Sequence, residues 1–149
     1  MYSLIQPGVA SDLIGRLAQL KPDAQAQWGK MKVSQMLAHC QVPIQVALGE
    51  KQLKRSMLGK LMGGMIKKRM LNETPFKHNL PTDPHFIVKD ERNFASERLQ
   101  LQTLLQRFAR SGPGIIVVKQ HPLFGDMTVD EWGLLFWKHL DHHLRQFNV

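Results

Sequence analysis

The stretch Thr128-Val-Asp-Glu-Trp-Gly-Leu-Leu-Phe-Trp-Lys-His-Leu-Asp-His-His-Leu-Arg-Gln-Phe147 decides how this chain is read. Trp132, Leu135, Phe136, Leu140 and Phe147 recur at helical spacing. Thr128 and Glu131 form a capping box, in which each side chain satisfies the other's free backbone donor. The pattern predicts a helix over 129–147. At about 100° per residue, His139 and His143 fall near the middle of the apolar arc, one turn apart. Lys138, Asp141 and Arg145 fall on the opposite side, and His142 at the boundary. An unpaired imidazole on an apolar stripe is costly. Something inside must satisfy the pair: carbonyl or carboxylate partners, as for many buried histidines, or a metal ion.

Three further strong helical stretches precede this one. The first covers 11–20, with Leu13, Ile14, Leu17 and Leu20 as its stripe, Ser11 or Asp12 as its cap, and Lys21-Pro22 as its stop. The second covers 33–48, with Ser34 as a candidate cap. The third covers 93–109 through Leu101, Leu104, Leu105 and Phe108, and Gly112-Pro113-Gly114 breaks it. Between the second and third lies a long irregular crossover from Glu50 to Lys89. Its first half, 56–71, has room for a shorter helix that Gly63-Gly64 weakens. Its second half carries Pro75, Pro81 and Pro84 and reads as an ordered loop. Residues 115–119 read as a short strand or an extended stretch packed on the helices. No repeat or linker divides the chain, so a single all-α domain over 1–149, a four-helix bundle, is expected.

Two histidines from one helix do not complete an open metal site. His39, in the middle of the second stretch, is the candidate third ligand. Pro43 removes the backbone bond to the carbonyl of His39, which predicts a bend beside it. Three neutral imidazoles plus water are the pattern of an open site, and such nitrogen donors suit Zn, Ni or Fe alike. Gln35, one turn before His39, is a candidate partner of that ring. His121, in the loop before the last helix, is read either as an acid/base residue or fourth ligand, or as a turn histidine bonded locally. Cys40 points about 100° away from His39 and reads as a buried inert thiol.

Two segments carry a resemblance. They are Trp28-Gly-Lys-Met-Lys-Val-Ser-Gln-Met-Leu-Ala-His39, and the run from His121-Pro-Leu-Phe-Gly125 through Glu131-Trp132 to Lys138-His-Leu-Asp-His-His-Leu-Arg-Gln-Phe147. Together they resemble the DinB/YfiT-like superfamily, and more closely a branch of unknown function, over about Pro22 to Phe147. The resemblance implies a four-helix bundle, often up-down-down-up, with a divalent metal held by three histidines. Carried over to this sequence, those are His39, His139 and His143. The superfamily includes thiol-dependent transferases and isomerases that use bacillithiol or mycothiol. The expectation is therefore a metal-dependent transferase or hydrolase acting on a small-molecule substrate, with an anionic thiol as cosubstrate.

Charge adds a second theme. The net charge is +8 over 149 residues. Lys51, Lys54, Arg55, Lys60, Lys67, Lys68 and Arg69 lie in one window with no acid, and elsewhere the signs nearly cancel. This basic 51–69 patch reads as a solvated face, as a lure for an anionic substrate, or as a contact for acidic lipid or nucleic acid. No aromatics interleave the lysines, which argues against nucleic acid. The rival to an enzyme is a non-catalytic binding module that grips an anionic partner with this patch. One cysteine excludes an internal disulfide. The chain shows no signal-peptide pattern at its start and no apolar run near the ~20 residues of a membrane span, so a cytoplasmic protein is expected. Leu134, Trp137 and Leu144, off the main arc, allow a homodimer through helix faces.

Overall fold

Apolar residues one turn apart set the helices, and polar side chains set where they begin. The computed structural model describes residues 2–149. It contains α1 (Val9–Gln19), α2 (Val33–Ala47), α3 (Met57–Met70), α4 (Phe94–Ser111) and α5 (Val129–Gln146). Two 3-10 turns, Pro84–Phe86 and Gly112–Ile115, and one short antiparallel pair, β1 (Gln120–His121) with β2 (Gly125–Asp126), complete it. The class is all-α, as expected.

The capping box of α5 is present: Glu131 accepts from the Thr128 N–H at 2.8 Å, and Thr128 Oγ1 accepts from the Glu131 N–H at 3.2 Å. Asn93 caps α4 by accepting from the Ser96 N–H. Two other expected caps are corrected. The chain enters α1 from Gly8 at φ 84°, so Ser11 and Asp12 lie inside the helix. Ser34 is buried within α2, and Gln35 reaches back to accept from the Lys32 N–H instead. The amide of Gln35 also donates to the Lys89 and Asp90 carbonyls, so it is no partner of His39.

The core lies where α1 and α2 each pack on both α4 and α5. Leu13 and Leu17, Met36 and Leu37, Leu101 and Leu105, and Trp132 and Phe136 meet there almost fully buried. Burying each such side chain contributes about 1.5–3 kcal/mol. Leu144 is also in this core, 2 % exposed, so it offers no surface for a dimer. Trp137 is half-buried beside Tyr2, with ring centroids 5.5 Å apart.

The crossover is less irregular than its glycines imply, because α3 fills its first half. Gly59 and Gly63 are buried where α3 crosses the turn between β1 and β2. A Cβ at Gly63 would sit 2.5 Å from the Leu123 carbonyl oxygen, and one at Gly59 would sit 2.6 Å from it. The residues that weaken α3 as an isolated helix are thus the ones that let it dock. Its last turn is held from α5. Lys138 Nζ donates to the Met70 carbonyl at 2.6 Å and the Asn72 carbonyl at 2.7 Å, and lies 4.9 Å from the Phe76 ring. Lys138 is therefore buried under α3, not solvent-facing as the wheel suggests. Residues 116–119 run extended against the end of α2, where Val117 and Val118 N–H both donate to the Ala47 carbonyl. Among the described residues no helix is long and apolar enough to cross a membrane.

Gly63→Val forces α3 off the Leu123 carbonyl. The expected loss is about 1–3 kcal/mol in urea unfolding, with faster amide exchange across 57–70 than in α5. Exchange in 57–70 matching that of the unsubstituted protein would contradict this packing.

Candidate metal centre

Helix spacing and one crossing bring three imidazoles together. His139 and His143 stand one turn apart on α5, and His39 faces them from the middle of α2. Their ring centroids are 4.6, 4.8 and 4.7 Å apart, and the ring planes meet at 71°, 82° and 86°. The rings stand like three faces of a corner. One ligand-capable nitrogen from each lies within 4.8 Å of the others. The three sequence candidates are thus assembled at one place. α2 continues through Pro43 to Ala47.

Hydrogen bonds fix which nitrogen of each ring is free. A neutral imidazole has one N–H and one lone pair. His39 Nδ1 lies 2.7 Å from the Phe86 carbonyl, which can only accept, so Nδ1 carries the proton and Nε2 keeps the lone pair. His143 Nδ1 lies 2.8 Å from Gln146 Oε1. Gln146 is itself oriented, because its Nε2 donates to the Trp28 carbonyl at 2.6 Å. His143 Nδ1 is therefore the donor, and its Nε2 lone pair is free too. Metal-binding histidines are commonly oriented this way by partners on their far nitrogen. His139 Nε2 lies 2.8 Å from His39 Nε2. Two lone pairs cannot face each other there without a proton or a cation between them. Nitrogens on a zinc-sized ion lie about 3.3 Å apart, so closing the set takes shifts of roughly 1.5 Å or less, within reach of side-chain rotation.

Gly29 belongs to this support. Its φ is 78°, and a Cβ there would come 2.9 Å from Gln146 Nε2. A side chain would be strained by the backbone and would push the amide that orients His143.

Burial keeps the rings neutral. His39 is shifted below the ordinary imidazole value by burial, against the pull of the Phe86 carbonyl. His139 is pushed well below it by burial and then by His39 and His143. Burial brings His143 down to about 3. Neutral nitrogen donors are what a divalent ion requires.

A cavity of about 440 Å³ opens over the rings, walled by Phe76, Leu80, Phe86, Ile87, Phe124 and Leu135. Lys30 is the one charged residue lining it among the described residues. None of the seven basic residues of 51–69 lines this space. His121 lies in its wall, buried, at the end of β1. Its Nδ1 accepts from the Leu123 and Phe124 N–H groups at 3.1 and 3.2 Å, and its ring stacks on Phe124 with centroids 4.3 Å apart. Burial lowers His121 to about 4. It makes the local turn bonds of the simpler reading and stands outside the group of three. His142 is half-buried beside His143, with centroids 5.0 Å apart, and separates this cavity from a second one lined by Trp28, His78 and Trp137. Cys40 is fully buried beside Met36, with its thiol pushed up by burial. His85 is exposed and bonded to Asp83.

Reasoning from sequence missed Gln146, Trp28 and Phe86. Gln146 was within reach, since a residue three positions after His143 shares its face. The other two act through backbone carbonyls, which no residue type announces.

The family described as "Protein of unknown function (DUF1569)" matches residues 10–149. The chain belongs to that family. No curated protein and no solved structure matches it. In this member of the family, the matched region contains all three clustered histidines and Gln146.

The unfolded chain binds protons at its histidines below the ordinary value of 6.5, while folded His121 and His143 stay neutral down to about 4 and about 3. Their stabilising contribution is therefore full above pH 6.5 and falls as pH drops below it. Metal-free protein is expected to lose on the order of 2 kcal/mol for each of His121 and His143 between pH 7 and pH 5 in urea unfolding. His143→Gln should flatten that slope. A profile equally steep in the variant would contradict the assignment.

Proposed function

We propose that this chain is a metal-dependent enzyme of DinB/YfiT-like type, a four-helix bundle of α1, α2, α4 and α5 whose His39, His139 and His143 hold one divalent ion. The observation that carries this reading is the placing of protons. The far nitrogens of His39 and His143 are committed to Phe86 and Gln146, which leaves two lone pairs aimed into the space that His139 shares. His39 Nε2 can take an N–H from His139 at 2.8 Å, but His143 makes its bond through Nδ1 and leaves Nε2 unspent, where a simple core histidine would commit both nitrogens to ordinary neighbours. The mutual packing of α1, α2, α4 and α5 supports the bundle type, and three neutral nitrogens suit Zn, Ni or Fe.

Once bound, such an ion supplies Lewis acidity to a ligand in its open positions. The chain supplies the rest. Phe86, Phe124 and Leu135 exclude water and strengthen electrostatic contacts at the cavity floor. Their apolar surface suits the body of a small-molecule substrate, and Lys30 at the rim suits an anionic group such as the carboxylate of a thiol cosubstrate. His121, with its Nδ1 already bonded, serves as a neutral Nε2–H donor to substrate and not as a proton acceptor. Thiol-dependent transfer and hydrolysis both fit this equipment.

Untagged protein should carry about one equivalent of a divalent metal by elemental analysis. His39→Ala and His143→Ala should each lose it. Gln146→Leu, which leaves all three ligands in place, should weaken affinity by about 10–100-fold. Metal content unchanged in both alanine variants would reject the site.

A further inference from the structure

α3 has two faces, and the core accounts for only one of them. The inner face, Gly59, Gly63, Ile66 and Met70, lies against the β1–β2 turn and the cavity. The outer face carries Met57, Leu58, Leu61, Met62 and Met65, all exposed, with Leu61 at 80 % and Met57 at 69 %. At about 100° per residue these five fill one contiguous arc of about 140° pointing away from the protein. The other exposed large apolar side chains, such as Tyr2, Leu99 and Val117, are spread along the chain. An outward stripe of this kind marks a surface built to meet something apolar.

Its charge says what that something is. Lys51, Lys54, Arg55, Lys60, Lys68 and Arg69 are exposed, and among the described residues none of them is in an ion pair; Lys67 alone in the segment has one, with Glu131. On the wheel Lys68 and Arg69 fall within the apolar arc at its C-terminal end, and Lys60 beside it. The occupant must therefore accept aliphatic side chains in its interior and cations at its rim. A second copy of the chain would set these cations against their own kind. Nucleic acid offers phosphates but nothing that buries leucine and methionine, and α3 has no aromatic ring to stack on bases. An anionic bilayer offers both, with acyl chains below a layer of negative headgroups.

We propose that α3 is a membrane-surface helix, which lays Met57, Leu58, Leu61, Met62 and Met65 into the outer layer of an anionic bilayer while Lys60, Lys68 and Arg69 contact phosphate headgroups. The long unbranched side chains of Lys and Met adapt to that boundary without a fixed complementary shape. Docking in this way leaves the inner glycine face undisturbed. It also sets the cavity, which Met70 and Leu123 help to line, close to the lipid.

The test is co-sedimentation of the full-length protein with phosphatidylcholine vesicles, with and without phosphatidylglycerol. Retention is expected only on the anionic vesicles, and it should fall as salt is raised. The double variants L61D/M65D and K60E/K68E should each bind about tenfold or more weakly. Both alter exposed positions, and circular dichroism melts should match those of the unsubstituted protein. No retention on anionic vesicles, or equal retention on both kinds, overturns the proposal. So does a dimer by light scattering that L61D/M65D converts to monomer, which would make the patch a contact between copies. Binding to duplex DNA but not to vesicles, unaffected by L61D/M65D, would overturn it as well.

Discussion

Three imidazoles are buried where α2 passes α5, in surroundings that disfavour their protonation. Much of the molecule follows from that constraint. Each ring has a single proton, so every neighbour that takes it decides which lone pair is left. Phe86 takes that of His39 through its carbonyl, and Gln146 takes that of His143 through its amide oxygen. Gln146 is held in turn by the Trp28 carbonyl, and Gly29 must lack a side chain for that amide to fit. A chain of small geometric requirements thus runs from the loop before α2 to the far end of α5, and its product is the orientation of one ring.

α3 is secured by a different logic. Of its apolar side chains only Ile66 and Met70 pack toward the core, and its closest approach is made through missing atoms, the absent Cβ groups at Gly59 and Gly63. The second attachment is a charged group used as a hydrogen-bond donor, Lys138 reaching two carbonyls at the helix end. Burial lowers the affinity of that amine for its proton, so its two short bonds offset a real desolvation cost. Lys67 of α3 adds a further tie, donating to the Asp126 carbonyl at 2.8 Å and pairing with Glu131. A helix attached largely by glycines and two lysines is free to keep most of its large side chains for the outside.

The parts of this design that were legible in the sequence are those set by neighbours along the chain. Thr128 and Glu131 announced the start of α5, and the spacing of His139 and His143 put both rings on one face. His39 could be singled out because it lies mid-helix on an apolar stretch. What escaped was set by tertiary contact. Lys138 falls on the polar side of α5 by the wheel, but α3 closes over that side. Leu144 looked free for a partner and is instead in the core. Gln35 looked like a support for His39 and is occupied with the Lys32 N–H and the Lys89 and Asp90 carbonyls. The glycines of α3 lowered its expected helicity because propensity counts what a residue costs in isolation, not what its smallness permits against a neighbour.

The bond between His39 and Phe86 has a thermodynamic side. Phe86 belongs to a single 3-10 turn in an otherwise loop-like segment, capped by Asp83. Its carbonyl helps to set the tautomer that His39 presents. Ordering of that loop and the basicity of the ring are therefore two readings of one equilibrium, and linkage makes their influence mutual. Whatever grips His39 on its inner nitrogen tightens the segment around Phe86, and whatever frays that segment loosens the grip. The wall of the cavity is in this sense a gauge of what its floor is holding.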